Sequence, residues 1–412
     1  MKRLKLTAYF LVMILSNGIF SVAAQTSVGS AKSQYELPTS SSRSQVEEYG
    51  PRSYPVAEGV WVAPYINLSL GRDSNLFLLQ NNKKASNFRI LNPGFVIEAH
   101  SPQSMYKLAY DGKFASYASS KRDNYEDHMV AGTGEFLFSQ RSGLRIGLDF
   151  FSGHDARGST DRGISIAPDK FDNSGFNALY AYGANGALGR FELEGGAYRK
   201  RYTNNRDFTF GSDRNSTSLG GRLFYRVMPK TYLLFELKQD RLDYTFEQSP
   251  FDSKETRYLV GATWEATAAT TGTVKFGRIK KDLRLGRDST STGWDAQIQW
   301  MPFTYSKFNF NTSKSFSEST GLGDFILSKR YGVTWNHSWT QRFETTASLS
   351  RADDDYQGFS RNDSTNAIGF KVNYKFRRWL TVGGEVSHTN RDSNREFDYK
   401  RNLYLLTLGA TL

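Results

Sequence analysis

Apolar and polar residues alternate along this chain from residue 59 to residue 412, in segments of about ten residues each. The stretch 331–339 is typical of them. One set of alternate positions carries Tyr331, Val333, Trp335, His337 and Trp339, and the other set carries Gly332, Thr334, Asn336 and Ser338. Because successive side chains of a strand point to opposite faces, the pattern predicts strands with one apolar and one polar face.

Eighteen such segments follow one another, and we interpret each as a strand. Their predicted cores are residues 60–71, 86–99, 104–117, 125–139, 143–153, 174–185, 189–202, 214–227, 231–246, 255–267, 271–284, 290–301, 305–316, 325–339, 342–353, 364–376, 379–390 and 399–412. Eight of the connections are predicted to be tight turns, near residues 101–103, 140–143, 185–187, 228–230, 268–270, 301–303, 339–341 and 376–378.

The nine remaining connections are mostly longer and polar, and the longest covers residues 154–173. An even number of strands with alternately short and long connections is typical of bacterial outer-membrane barrels, whose short turns face the periplasm. We therefore predict an all-β protein, a transmembrane antiparallel up-and-down β-barrel of about 18 strands. Both chain ends are expected on the periplasmic side of the outer membrane.

The composition agrees with a barrel that has lipid outside and water inside. Aromatic residues make up 15% of the chain, as expected for rings at the two membrane interfaces. Outside the N-terminal region no stretch approaches the 18 apolar residues that a membrane-spanning helix needs. The chain has no Cys, which excludes disulfides and thiolate metal sites.

The N-terminal 58 residues are predicted to lie outside the barrel, which we place at 59–412. Residues 1–24 have the charged start, apolar run and small-residue cleavage site of a secretory signal peptide. Residues 25–58 are rich in Ser and Pro and show little periodicity, so we expect a partly disordered periplasmic lead-in.

The net charge of +12 falls to +9 when the three cations of the predicted signal peptide, Lys2, Arg3 and Lys5, are removed. Such a basic surface either complements anionic lipid head groups or attracts an anionic ligand. Nothing in the pattern predicts binding of nucleic acid.

The inward positions carry acidic and basic residues in nearly equal numbers, which favours a hydrated wall of ion pairs over a ring of one sign. Candidate lumen-lining residues are Lys107, Arg145, Arg222, Arg226, Lys275, Lys307, Lys371, Lys375, Glu192, Glu194, Glu385, Tyr65 and Tyr198. The inward aromatic rings either stack against sugar rings or pack against loops that fold into the lumen.

An Arg-Asp-Ser element recurs where predicted strands meet long connections. One interpretation is favoured turn chemistry with charge at the rim. The other is a ring of Arg and Asp at the external mouth that gathers a polyanion or a polyhydroxyl chain. The candidate mouth residues are Arg72, Asp73, Arg287, Asp288, Arg391 and Asp392.

No catalytic, cofactor-binding or metal site is predicted, and we do not expect an enzyme. His337 lies beside Asn336 and Ser338, but adjacent strand residues point to opposite faces, so they cannot act together. His154 with Asp155, and the triplet 353–355 (all Asp), lie near the predicted rim, where charges usually solvate loops. Calcium binding by the triplet is the weaker alternative.

The segment from Val62 to Phe77, which reads VAPYINLSLGRDSNLF, resembles the opening of the Putative beta-barrel porin type two family. The resemblance extends over about residues 59–412, mostly in architecture. Members are often encoded in exopolysaccharide gene clusters of Gram-negative bacteria. The resemblance implies a role in exopolysaccharide secretion across the outer membrane and offers no catalytic residues.

From the pattern and this resemblance we expect a passive outer-membrane channel that exports an exopolysaccharide. Its expected partners are outer-membrane lipid, the polysaccharide, and periplasmic export or chain-length-control proteins. A general or oligosaccharide-uptake porin is the alternative, and an outer-membrane enzyme or a closed structural barrel are further ones. No strand shows a flat outer face of small residues suited to trimerisation, so we expect a monomer.

Overall fold

The computed structural model describes residues 53–161, 165–184, 186–265 and 269–411. The predicted signal peptide, nearly all of the predicted lead-in and the final residue, Leu412, lie outside the described residues. The described part is almost entirely antiparallel sheet, with three short helical segments at Lys121–Asp123, Arg206–Thr209 and Phe210–Ser212. None of its helices is long and apolar enough to cross a membrane.

Nineteen strands are present within the described residues, and eighteen of them form a closed barrel. The strands are β1 (Tyr54–Ala57), β2 (Val60–Asp73), β3 (Ser86–His100), β4 (Ser104–Tyr117), β5 (Tyr125–Ser139), β6 (Ser142–Asp155), β7 (Asp169–Tyr182), β8 (Gly189–Tyr202), β9 (Arg214–Met228), β10 (Thr231–Tyr244), β11 (Ser253–Trp264), β12 (Thr270–Leu283), β13 (Ser289–Phe303), β14 (Ser306–Ser317), β15 (Phe325–Ser338), β16 (Phe343–Gln357), β17 (Arg361–Arg377), β18 (Leu380–Ser393) and β19 (Tyr399–Thr411).

Every barrel strand pairs with its sequence neighbours, and the barrel closes where β19 pairs with β2. The closing register runs from Leu403 opposite Asp73 to Thr411 opposite Tyr65. This nearest-neighbour order is the up-and-down arrangement, which leaves no free sheet edge around the barrel. The prediction of an eighteen-stranded antiparallel up-and-down barrel is therefore confirmed.

The short strand β1 was not predicted, because residues 54–57 were assigned to an irregular lead-in. It pairs with the start of β2, Tyr54 opposite Val62 and Ala57 opposite Val60. The pairing of β19 with β2 reaches only to Tyr65, so β1 covers backbone groups of β2 that β19 leaves free. Four residues that include a proline are too few to show a two-residue period, which explains the error.

Several strands extend further toward the long connections than their apolar pattern predicts. We call that end of the barrel the loop end and the opposite end the turn end. Strand β7 begins at Asp169 rather than residue 174, and β16 continues to Gln357 rather than residue 353. The connection between β16 and β17 is consequently only 358–360, so the prediction of a longer loop there is wrong. The outward positions of these extensions are polar, as at Lys170, Asp172 and Asp355, whereas Phe171 and Tyr356 lie on the inward face. Backbone pairing therefore continues there without the apolar outward positions that lipid contact imposes.

The outward face carries an apolar band that ends in aromatic rings at the turn end. Leu148, Leu223 and Phe370 lie in the band and are exposed. Exposed rings at the turn end are Phe138, Phe303, Trp339, Trp379 and Phe376. An apolar band bordered by aromatic side chains is the expected outer surface of a barrel in a membrane.

Candidate functional site

The lumen wall is the face opposite the apolar band, and the strand register defines it. Glu192 lies opposite Arg222, and Lys371 lies opposite Glu385. The register places every predicted lumen-lining residue on this inward face, namely Lys107, Arg145, Arg222, Arg226, Lys275, Lys307, Lys371, Lys375, Glu192, Glu194, Glu385, Tyr65 and Tyr198.

An ion-pair network connects strands β8, β9 and β10 across the inward face. The Arg222 guanidinium lies 3.0 Å from the Glu192 carboxylate and 2.9 Å from that of Glu194. The Lys238 ammonium lies 2.8 Å from Glu194, and Arg190 also pairs with Glu192. The side chain of Glu192 is only 3% exposed, so its charge depends on these partners rather than on water.

The same cross-strand pairing continues around the wall. Further inward pairs are Lys107–Glu98, Arg145–Glu135, Arg257–Asp240, Lys275–Glu236 and Lys375–Glu344. Acid and base neutralise each other within the wall, so the lumen presents no ring of a single sign.

Two inward cations near the turn end differ from this pattern. Arg226 and Lys307 make no side-chain hydrogen bond or ion pair with any residue that the structure describes. Glu385, further into the lumen, has one buried carboxylate oxygen without a hydrogen-bond partner in the described chain. Arg226 and Lys307, which are partly exposed, are therefore the cations of the wall most available to a passing solute.

The inward ring of Tyr65 is part of the wall rather than a free stacking surface. Its hydroxyl donates a hydrogen bond of 2.6 Å to Asp111, which also accepts one of 3.0 Å from Asn92. The ring covers Gly94 so closely that a Cβ atom there would lie 2.2 Å from it. The glycine is therefore needed for this close approach, and the geometry favours wall packing over sugar stacking for Tyr65.

The loop between β6 and β7 contains a segment, residues 156–161, that we call the strap. At its start Arg157 pairs with Asp123, donates a 3.0 Å hydrogen bond to Ser120 Oγ, and stacks 4.1 Å from the centre of the Phe77 ring. Gly158 has φ of +77°, and a Cβ atom there would lie 2.0 Å from the Phe77 carbonyl oxygen. The start of the strap is thus fixed to the connections that follow β2 and β4, at a position that requires glycine.

The end of the strap is fixed on the other side of the mouth. Asp161 accepts hydrogen bonds of 2.8 Å from Arg361 and 2.9 Å from the Tyr356 hydroxyl, and one of 3.1 Å from Thr320. Going around the barrel, β16 is ten strands from β6 in one direction and eight in the other. Because β6 ends at Asp155 and Asp161 bonds to residues of β16 and β17, the strap extends across the loop-end mouth and narrows it.

Arg361 is the residue that holds the strap on the far wall. Its side chain is 0% exposed, and it donates hydrogen bonds of 2.9 and 2.5 Å to Asp363 as well as the bond to Asp161. The guanidinium lies 4.3 Å from the centre of the Tyr356 ring and 3.6 Å from that of Phe397. Sequence reasoning missed this contact, although Arg361 begins the sequence Arg361-Asn362-Asp363-Ser364, which is similar to the repeated Arg-Asp-Ser element.

The six predicted mouth residues do not form a ring. Asp73 faces inward, is fully buried and pairs with Arg401 at 2.6 Å, while Arg72 faces outward. Arg391 likewise faces inward and Asp392 outward, because consecutive strand residues point to opposite faces. Arg287 and Asp288 lie in the connection between β12 and β13. The hypothesis of an Arg and Asp ring at the mouth is therefore wrong.

The predicted rim carboxylates also diverge. Asp353 faces outward and bonds to Arg351 at 3.0 Å, whereas Asp354 accepts a 2.5 Å hydrogen bond from Ser328 on the inward face. No group of three or more possible metal ligands occurs among residues 53–411 where they are described. His337 packs on the lipid face between Trp335 and Trp339, at ring distances of 5.3 and 4.3 Å.

A closed barrel with an apolar exterior and an ion-paired, polar interior is the architecture of a porin-like protein of the outer membrane. The chain belongs to the family described as Putative beta-barrel porin 2, whose model matches residues 58–411. No curated protein matches the chain.

The chain also matches solved structures of other barrels at low sequence identity. The BenF-like porin from Pseudomonas fluorescens Pf-5 is 10% identical, with 86% of this chain and 99% of that chain covered and a TM-score of 0.49. The outer membrane protein opdK from Pseudomonas aeruginosa is also 10% identical, with 85% of this chain and 99% of that chain covered and a TM-score of 0.48. The FrpB iron transporter from Neisseria meningitidis (F3-3 variant) is 11% identical, with 80% of this chain covered and a TM-score of 0.44. The match covers 62% of that protein, so the chain spans about three fifths of its length.

Proposed function

We propose that the barrel is a passive outer-membrane channel that exports an exopolysaccharide and has no enzymatic activity. The observation that supports this most is the charge-balanced lumen wall. Its ion pairs leave little net field, and between them lie inward amide and hydroxyl groups such as Asn67, Gln297, Gln299 and Asn309. Such groups exchange hydrogen bonds with a polyhydroxyl chain without holding it firmly.

Export also defines a direction and partners. Both termini would be periplasmic, with the turn end facing the periplasm and the loop end facing outward, as in other bacterial barrels. The energy for export would come from synthesis and from periplasmic export or chain-length-control proteins. The barrel itself would be a monomer, whether or not these partners are bound to it.

Uptake of small oligosaccharides is the second candidate, and the strap favours it. A segment fixed by a buried Arg361 across the loop-end mouth narrows the route for a polymer but leaves room for small solutes. Under the export proposal, the hydrogen bond between Asp161 and Arg361 has to break so that the polysaccharide can pass.

The two functions can be separated by deletion of the gene and measurement of surface polysaccharide. Loss of surface polymer, restored by the wild-type gene, is the result expected for export. Unchanged surface polymer together with slower oligosaccharide uptake would contradict export and support the second candidate. Single-channel conductance in planar bilayers provides an independent check, because a closed structural barrel gives none.

A further inference from the structure

The outer face carries a set of basic side chains near the loop end, above the apolar band. By register these residues point outward, and all are exposed: Arg72, Arg89, Lys170, Arg199, Arg241, Lys254, Arg278, Lys280, Lys329, Arg351 and Lys400. A charged side chain on the lipid face costs least at the interface, so this set lies at the height of the lipid head groups.

Many of these cations lack a counter-charge within the protein. Arg72, Arg89 and Lys170 make no side-chain hydrogen bond or ion pair with a described residue. Arg241 lies directly opposite Lys254 but also pairs with Asp243 at 3.0 Å, and Lys314 lies opposite Lys329. Like charges directly across a strand pair destabilise the sheet. The arrangement is therefore suited to an anion that comes from outside the chain.

One place on this face is a groove with a volume of about 700 Å³ on strands β2 to β7. Its polar lining includes Arg89, Lys170, His128, Ser152 and Glu126, and its apolar lining includes Leu68, Leu91 and Phe114. The His128 ring is held by a 3.0 Å hydrogen bond with the Tyr110 hydroxyl. The groove thus combines cations with an apolar floor.

A second arginine lies beside this groove. Arg72 is opposite Asn87, two residues before Arg89 on β3, so Arg72 and Arg89 are diagonal neighbours on the outer face. Such neighbours have Cα atoms about 7–8 Å apart, within reach of one another's long side chains. Two guanidinium groups without partners can converge on a single phosphate, to which arginine binds in a bidentate manner.

We propose that this groove binds the phosphorylated head group of a membrane lipid. Arg72 and Arg89 are the phosphate ligands, Lys170 adds positive charge on the opposite side of the groove, and an acyl chain lies over Leu68 and Leu91. Both leucines are exposed, at 40% and 41%, and continue into the apolar band. A lipid can contact both the cations and the adjoining apolar floor, whereas a soluble phosphate can contact only the cations. The proposal does not depend on what passes through the lumen.

The carboxylate of Glu126 gives the proposal a second, opposite test. It is exposed and is part of the groove lining, where it would repel a phosphate. Removing its charge should therefore tighten binding, whereas removing the cations should weaken it. A site that recognised only acyl chains would respond to neither change.

The experiment is native mass spectrometry of the whole barrel in detergent, titrated with phosphatidic acid, with diacylglycerol or with inorganic phosphate. We expect the wild type to retain phosphatidic acid, and the variant Arg72→Gln/Arg89→Gln/Lys170→Gln to bind it at least about tenfold more weakly. Glu126→Gln should bind it more tightly. The variant Lys83→Gln/Lys84→Gln/Arg122→Gln loses the same charge from exposed connections and should bind as the wild type does.

Equal retention of phosphatidic acid by the wild type and the groove variant would overturn the proposal. Equal retention of diacylglycerol would show an apolar site only, and displacement of the lipid by an equal concentration of inorganic phosphate would show a site for free phosphate, so either result also overturns it. Folding of each variant is checked by heat-modifiable electrophoretic migration. If the triple variant does not fold, Arg89→Gln alone, with Lys83→Gln as its control, gives the same comparison.

Discussion

The lumen wall and the outer face at the loop end use the same basic side chains in opposite ways. Inside, Arg222, Lys238 and Lys275 each lie within 3.0 Å of a carboxylate on a neighbouring or nearby strand. Outside, Arg89 and Lys254 have no such partner among the described residues. The excess positive charge of the chain therefore does not lie on the lumen wall. It belongs largely to the surface that meets the lipid head groups.

The largest expected effect tests the inner half of this comparison. Replacing Glu192 by Leu leaves the Arg222 and Arg190 guanidinium groups without their most buried partner. The loss of one member of a buried ion pair should lower the free energy of unfolding by about 3 kcal/mol. Urea unfolding in detergent, followed by tryptophan fluorescence, measures this loss. The matched outer-face change Arg199→Leu should cost less than about 0.5 kcal/mol, and equal costs would contradict the contrast.

The next effect concerns the strap. Arg361→Ala removes the hydrogen bonds to Asp161 and Asp363, so the strap should detach from the far wall and the single-channel conductance should rise. The bond to the charged Asp161 contributes about 1.5–3 kcal/mol. The hydrogen bonds from Tyr356 and Thr320 to Asp161 remain, so the detached state should become more populated without being the only state. Arg351→Ala, which removes an exposed outward pair, is the control. A conductance equal to that of the wild type in both variants would show that the strap does not restrict flow.

A smaller effect should distinguish inner from outer cations by ion selectivity. Arg226→Glu/Lys307→Glu changes two inward side chains that have no ion pair in the described chain, so the pore should shift toward cation selectivity. Reversal potentials in a salt gradient measure the shift. The outward change Arg241→Glu should leave the reversal potential unchanged, and a similar shift in both would contradict the assignment of faces.

The smallest effect lies within the outer face itself. Lys314→Glu replaces the like-charge pair with Lys329 by an opposite-charge pair. In zwitterionic or neutral detergent this should raise the free energy of unfolding by about 0.5 kcal/mol, measured again by urea unfolding. The neutral change Lys314→Gln should give a smaller gain. A loss in both variants would show that Lys314 is already stabilised by a favourable partner, such as the Trp294 ring 5.7 Å away.

The sequence allowed the strands and their faces to be predicted because lipid outside and water inside impose a strict two-residue period. Lys371 and Lys375, for example, could be assigned to the lumen from position alone. The loop-end extensions of β7 and β16 could not, since neither face is buried against lipid there. The strap could not be predicted from the sequence either. Asp161 and Arg361 are 200 residues apart, and neither lies in a periodic segment that would indicate the contact.

The repeated Arg-Asp-Ser element shows how a correct location can accompany a wrong arrangement. The pattern placed Arg72, Asp73, Arg391 and Asp392 near the loop end, where the structure also has them. The proposed ring required side chains of neighbouring residues to converge. Once the strands continue through the element, alternation sends Arg72 and Asp73 to opposite faces, and each finds a different environment.

The closure between β2 and β19 has a consequence for the time course of assembly. It joins residues such as Ser69 and Thr407, which are 338 positions apart in the chain. Contacts of such long range carry the greatest entropic cost and form slowly, so the seam should be the last part of the barrel to form. Phe88, Leu403 and Leu405 pack together on its inner side, as one of two buried apolar clusters in the described part of the chain. This apolar contact stabilises the closed seam once β2 and β19 have paired.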